Sequence, residues 1–178
     1  MFIILRPRFD VNEYYKMIKK YKPQALSGVP TLFETSFEKL ANSSIKLDFL
    51  KYVVAGGDAL KLSQRTKINK ILKEHGSNAE VTVGYGLTEA VCAAVIESSY
   101  IKFKDGTVGI PFPGVYVGIF DENQKEVPYG EPGEICICGP TVMKGYYKNQ
   151  EETNLVLRKH RDGNIWLHSG DIGSMDED

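Results

Sequence analysis

Val83-Gly84-Tyr85-Gly86-Leu87-Thr88-Glu89 sets two glycines around an aromatic ring and follows them with a hydroxyl and a carboxylate. Glycine lets a backbone approach a ligand closely or turn with positive φ. The tyrosine ring offers a flat face to a purine base, and a threonine hydroxyl can donate to a phosphate oxygen. A carboxylate beside a polyphosphate is repulsive unless a cation lies between them, and Mg²⁺ held by one carboxylate plus substrate phosphates meets that demand. The segment reads as a site for a metal-bound nucleotide, with Gly84, Tyr85 and Gly86 near the base, Thr88 near the phosphates and Glu89 as the metal ligand.

Two other readings compete. Gly84-x-Gly86 after the β-rich Val81-Thr82-Val83 could open a dinucleotide-binding G-x-G-x-x-G turn. Its third glycine position is Glu89, however, which would set negative charge where a pyrophosphate should meet helix-terminal amides. About 20 residues further on, where a ribose carboxylate is expected, only Glu97 comes near, and Asp105 is too distant. The blander reading is a strand-to-helix turn without a ligand, Glu89 then complementing a helix dipole.

Outward from this segment the first part of the chain alternates strands and helices. Asp10-Val11-Asn12-Glu13 starts a helix like a capping box, with Phe9 and Tyr14 as a hydrophobic staple and Val11, Tyr14, Ile18 and Tyr21 at helical spacing. A short strand at 25–27 precedes Thr31-x-x-Glu34, which can cap a second helix burying Phe33, Phe37 and Leu40. A buried strand at 49–55 exits into Gly56-Gly57, and a helix at 63–75 ended by Gly76 leads to a strand at 80–83. Both glycine pairs thus fall at carboxyl ends of strands, where open α/β sheets bind ligands. Beyond residue 101 the pattern turns to β, with short runs at 115–120 and 134–138 between Gly, Pro, Asn and Asp turns. Asn149 and Glu152 start one interrupting helix there.

The second half also carries Gly133-Glu134-Ile135-Cys136-Ile137-Cys138-Gly139, then Lys144-Gly145-Tyr146-Tyr147, Glu152-Thr153 and Trp166-Leu167-His168-Ser169-Gly170-Asp171. With Gly56-Gly57-Asp58 and the opening segment, this order resembles the adenylate-forming superfamily of acyl- and aryl-CoA synthetases, luciferases and peptide-synthetase adenylation domains. The resemblance implies a partial parallel α/β subdomain over residues 1–101 and a mostly antiparallel, distorted β-barrel subdomain over 102–178. It also implies roles. Tyr85 stacks on adenine, the backbone of Gly56, Gly57 and Asp58 lines the other side of the base, Thr88 touches phosphates, Glu89 binds Mg²⁺, and Asp171 accepts from both ribose hydroxyls. Ser169 stands where that family usually has threonine, and the hydroxyl is kept.

The reaction so implied joins a small-molecule carboxylic acid to the α-phosphate of Mg-ATP, releasing pyrophosphate, after which a thiol, usually coenzyme A, displaces AMP. Positioning and charge neutralisation are its main physical demands. Trp166-Leu167-His168 and Lys144-Gly145-Tyr146 look more like acyl-CoA synthetases than adenylation domains, and the small apolar Ala90, Val91, Cys92 and Ala93 resemble the wall of an acyl pocket. An adenylation domain loading a carrier protein, or a non-catalytic nucleotide-binding module, are the alternatives. The family's upstream Ser/Thr/Gly-rich phosphate loop and its lysine-bearing C-terminal domain have no match here. The expectation is therefore a piece of a larger enzyme whose N- and C-terminal parts are its partners. Such a piece would be inactive by itself, bind ATP weakly and self-associate through uncovered apolar faces and strand edges.

Composition narrows the setting. The chain has 178 residues, 42% of them hydrophobic, and a formal net charge of −1, which gives no general attraction to nucleic acid or anionic lipid. Met1-Phe2-Ile3-Ile4-Leu5 is too short for a membrane span and reads as a buried strand. Three cysteines indicate no disulfide framework, in keeping with a cytoplasmic protein. Cys136 and Cys138 share a strand face as core residues, and Cys92 is expected to be buried. His75 and His160 read as solvated helix-end residues. His168, Ser169 and Asp171 alternate along a strand and so form no triad. Tyr14, Tyr15, Lys16, Lys19 and Lys20 read as the solvated face of a helix, not a single-strand nucleic-acid site.

Overall fold

The computed structural model describes residues 3–5, 8–98 and 104–177. The chain forms two compact units, Met1–Val83 with Ile101–Thr107, and Gly84–Tyr100 with Val108–Asp178. The division expected at 101/102 lies outside the described residues.

In the first unit, helix α1 (Val11–Tyr21) starts where the Asp10 carboxylate accepts from the Asn12 and Glu13 amides at 3.0 and 2.9 Å. The Phe9 and Tyr14 rings meet edge to face at 5.8 Å, so the staple forms as its spacing predicts. Strand β1 (Ala25–Gly28) pairs in parallel with β2 (Tyr52–Gly56), from Ala25↔Tyr52 to Gly28↔Ala55. Between them runs α2 (Pro30–Ala41), whose first residue is Pro30 and whose cap, Val29, makes no side-chain bond. The expected Thr31 cap is therefore absent: proline takes the first helical position, where its missing N–H leaves nothing unsatisfied. Helix α3 (Leu62–Glu74) leads to β3 (Val81–Tyr85), which lies next to β2.

Phe33, Phe37 and Leu40 of α2, Ile68, Ile71 and Leu72 of α3, and Val53 and Ala55 of β2 bury one another around Ile18. Burying each large apolar side chain contributes about 1.5–3 kcal/mol, and this core holds β2 and the start of β3 at Val81. Ile3, Ile4 and Leu5, expected in a buried strand, are instead exposed and outside any strand. Met1 and Phe2 lie outside the described residues.

In the second unit the last residues of β3 pair antiparallel with β4 (Val95–Ile96), which pairs with β5 (Ile110–Pro111). A four-stranded antiparallel sheet follows: β6 (Tyr116–Phe120), β7 (Gly133–Cys138), β9 (Ile165–Gly173) and β8 (Leu157–Lys159), side by side in that order. The expected distorted barrel is, among the described residues, this open sheet, with β6 and β8 as unclosed edges. Helix α4 (Gln150–Val156) begins at Asn149, which accepts from the Glu152 amide at 3.2 Å. Ala90, Ala94, Val95, Val115, Ile137 and Leu167 form one core here, and Phe120, Cys136 and Trp166 another.

One irregularity in this sheet changes where its side chains are presented. Glu134 faces Ile172 and Cys136 faces His168, so β9 spends four steps where β7 spends two. The extra length bulges Ser169, Gly170 and Asp171 out of the ladder, with Gly170 at φ 77°. Bulges of this kind re-aim side chains beside active sites.

Candidate nucleotide site

Tyr85 is the last residue of β3, and Asp171 sits on the β9 bulge; both belong to the second unit. The Tyr85 hydroxyl donates to Asp171 Oδ2 at 2.8 Å. The ring is half-buried against the core of Ala90, Ala94 and Val95. Burial is the main cause that pushes its hydroxyl up to about 12; a bond with Ser169 works the other way, and the Asp171 carboxylate adds to the rise. The phenol therefore stays protonated and keeps donating at neutral pH. One bond on Oδ2 still leaves an exposed carboxylate most of its acceptor capacity, since an ionised carboxylate offers about four lone-pair positions.

After Leu87 the chain makes a single 3₁₀ turn, Thr88–Ala90. Thr88 is exposed and Ala90 fully buried, so the buried alanine anchors a turn that presents Thr88 and Glu89 outward. Glu89 Oε1 accepts from the Tyr146 hydroxyl at 2.6 Å, and the Glu89 carbonyl accepts from the Met143 amide at 2.7 Å. That hydrogen bond to Glu89, then burial, then the Glu89 charge raise the Tyr146 hydroxyl from its usual range. Among the described residues the bond from Tyr146 falls on Oε1, and a cation ligand is the role expected of this side chain. A hard, oxygen-seeking divalent ion such as Mg²⁺ fits a partly exposed carboxylate of this kind.

The two glycine pairs serve different needs. Gly57, at the exit of β2 in the first unit, has φ 76°, a left-handed turn that a side chain disfavours. Asp58 beside it is exposed, its Oδ1 accepting from the Ala59 amide at 2.7 Å. Gly86 lacks a Cβ for a packing reason: a methyl there would lie 2.4 Å from the Cys92 carbonyl and 2.7 Å from Ala93 Cα and the Ala94 amide. The close approach predicted at Gly86 is thus to the chain's own loop.

That loop contains two non-glycine residues with positive φ, Val91 at 58° and Cys92 at 82°. A β-branched residue in this region is a rare, strained conformation. Cys92, expected to be buried, is exposed, because the left-handed pair turns residues 91 and 92 outward before Ala94 returns to the core.

Behind the bulge lies a polar cluster that the sequence did not announce. His168, 4% exposed, faces Glu134 through Nδ1 at 2.7 Å, and Glu134 Oε1 accepts from the Gly170 amide at 3.0 Å. The Nε2 atoms of His168 and His160 are 2.9 Å apart. His160, expected to be solvated, is only 6% exposed, packed edge-on to Phe120 and stacked on Trp166. The absence of a His168–Ser169–Asp171 triad is consistent with these bonds, since His168 uses both ring nitrogens elsewhere. Glu134, Cys136 and His168 do bring three ligand-type atoms within 4.8 Å of one another. His168 and Glu134 are committed to each other, however, and burial, with the Glu134 charge adding, pushes the Cys136 thiol up to about 12. A thiolate ligand is correspondingly disfavoured.

The model of a family described as AMP-binding enzyme matches residues 2–147. The chain belongs to that family. Among its relatives, a long-chain-fatty-acid–CoA ligase of Bacillus subtilis (strain 168) is 37% identical over 180 residues, covering 99% of this chain and 30% of that protein. A luciferin 4-monooxygenase of Photinus pyralis is 33% identical over 177 residues, again 99% of this chain and 30% of the other. A solved long-chain-fatty-acid–CoA ligase from Archaeoglobus fulgidus superposes with a TM-score of 0.86 at 25% identity, over 95% of this chain and 35% of that one. The chain thus spans about a third of the lengths of these proteins. Among its described residues no helix is long and apolar enough to cross a membrane.

Proposed function

We propose that this chain supplies adenosine- and metal-binding groups to an ATP-dependent ligase that activates a carboxylic acid as its acyl-adenylate and passes it to coenzyme A. The observation that carries the reading is the 2.8 Å bond between Tyr85 and Asp171. It joins the ring proposed to stack on adenine to the carboxylate proposed to hold the ribose, and it fixes the ring's orientation before a nucleotide arrives. Preorganisation of this kind lowers the entropy lost on binding.

In this reading Thr88 donates to a phosphate oxygen, Glu89 Oε2 takes Mg²⁺, and Asp171 accepts from the ribose hydroxyls. Gly84 and Gly86 shape the backbone around them. The metal would supply charge neutralisation on the phosphates; the chain's own residues hold and orient. Coenzyme A as acceptor and an aliphatic acid as substrate are supported by relatives named long-chain-fatty-acid–CoA ligases. The exposed, apolar Val91 agrees with such a substrate, whereas Ala90 is taken up by the core.

The test is a graft of residues 2–177 in place of the matching segment of the Bacillus subtilis ligase. Carboxylate-dependent exchange of pyrophosphate into ATP is expected with the graft. Asp171→Ala in the graft should raise the KM for ATP by on the order of 10-fold or more, the size of a lost hydrogen bond to a charged group. A folded graft with no exchange, or an Asp171→Ala variant with unchanged KM, overturns the reading.

A further inference from the structure

The cluster behind the β9 bulge has a directional logic of its own. Burial raises the Glu134 carboxyl, but the bonds it accepts from His168 and the Gly170 amide lower it, and the net shift is downward. The group is a carboxylate at neutral pH and can only accept, so His168 Nδ1 carries the proton between them. Of the two facing Nε2 atoms, one must also donate.

If His168 were doubly protonated and donated both ways, His160 would need its own proton on Nδ1. That atom is buried without a hydrogen-bond partner, and an orphaned buried N–H is among the costlier defects in a protein. With both rings neutral, His160 Nε2–H donates to His168 Nε2, and the orphan is only a lone pair. Donation therefore runs from His160 to His168 to Glu134. Phe120 and Trp166 hold the His160 ring, and Trp166 Nε1 is itself tied to Asp162 Oδ2 at 3.0 Å.

The far end of this chain lands on the turn that matters. Glu134 Oε1 accepts from the Gly170 amide, the residue before Asp171, within the stretch where β9 leaves the ladder. A bulge deprived of ladder bonds needs some other restraint if its side chain is to point one way. Glu134 supplies one, and its second oxygen, taken by His168, cannot swing away.

We propose that Glu134, oriented by the His160–His168 pair, is a positioning residue that clamps the Gly170 amide and so presents the Asp171 carboxylate to a nucleotide's ribose hydroxyls. This rests on reading Asp171 as the ribose acceptor.

The test uses the ¹⁵N-labelled chain and two ligands, AMP and 2′,3′-dideoxy-AMP, titrated by NMR. At neutral pH the imidazole spectra should show a proton on Nδ1 and none on Nε2 for His168, and the reverse for His160. In Glu134→Ala the Gly170 amide should move upfield and exchange faster. The affinity for AMP should then fall by about 10-fold, while that for the dideoxy nucleotide stays within about two-fold. Glu134→Gln, which keeps an acceptor for Gly170 but turns a donor toward His168, should give an intermediate loss and serves if the alanine variant does not fold. Equal losses for both nucleotides mean a merely structural glutamate and overturn the proposal, as does a bare Nδ1 on His168 or a Gly170 amide indifferent to Glu134→Ala. Failure of the nucleotide reading looks different: the unaltered chain would not prefer AMP over its dideoxy analogue, although the amide and tautomer signals behave as stated. That result overturns the ribose role of the clamp.

Discussion

Each of the two carboxylates proposed to meet the nucleotide holds a tyrosine hydroxyl, and the two phenols do opposite things. Tyr85 on Asp171 aligns a ring that the ligand needs. Tyr146 on Glu89 takes up an oxygen that a metal ion would want. Tyr146→Phe removes that competitor and leaves the ring's packing in place. Mn²⁺ affinity of the chain, followed by water-proton relaxation, should rise by roughly two- to five-fold, the scale of an exposed polar pair. Unchanged or weaker Mn²⁺ binding would show that the hydroxyl does not compete at Glu89. Tyr85, Thr88 and Glu89 are singled out by residue type and local spacing and Asp171 by the family resemblance, and their roles at a nucleotide are the proposal made above. Their supports were not legible in the sequence. Tyr146 lies 57 residues from Glu89 and Glu134 36 residues from Gly170, and only tertiary contacts bring them together. His160, expected as a solvated helix-end residue, is buried because the Phe120 and Trp166 rings close over it.

Elements were read well where local physics decides them and poorly where tertiary contacts do. The Asp10 and Asn149 caps, the Phe33–Phe37–Leu40 stripe and the strand preceding Gly84 formed as their patterns predict. The Thr31 cap failed because Pro30 outcompetes it one residue earlier, and the barrel opened because closure depends on partners that no single strand encodes. The bulge on β9 was invisible, since Gly170 alone does not reveal a mismatch of register. At the exit of β3 the decisive contact is between backbones: Gly86 against residues 92 to 94. Gly86→Ala forces that loop, already carrying left-handed Val91 and Cys92, to shift. Overpacking against rigid backbone costs about 1–3 kcal/mol, so urea denaturation should show a loss in that range. The Glu89-dependent Mn²⁺ signal should weaken with it, because the 3₁₀ turn rides on the same loop. A variant as stable as the parent would mean that the loop yields freely and that glycine is not required there.

At the scale of the whole molecule, the buried titratable groups set limits to stability on both sides of neutrality. His160 has its proton affinity lowered, first by burial and then by His168, so the unfolded chain binds that proton more readily. Its contribution is complete above the unfolded value near 6.5 and fades as pH falls below it. Glu134 is depressed from 4.5, so its contribution is lost further down, as the folded carboxylate finally takes a proton. On the alkaline side burial pushes Tyr14, in the first unit, up to about 12 from 10.0, and Tyr85, in the second, also reaches about 12. Above pH 10 the unfolded chain releases protons that the folded chain keeps, and stability declines toward 12, by on the order of 1–2 kcal/mol for each phenol after solvent screening. Chemical denaturation across pH should therefore give a plateau from about 6.5 to 9, where the raised Cys136 thiol begins the alkaline decline that the phenols continue, with a falling limb on either side. His160→Phe, which keeps an aromatic ring between Phe120 and Trp166, should flatten the first part of the acid limb, and Tyr14→Phe should flatten part of the alkaline one. An acid limb that begins only below pH 5, or one equally steep in His160→Phe, would mean that the histidine pair does not carry this stability and that the clamp beneath Asp171 is held some other way.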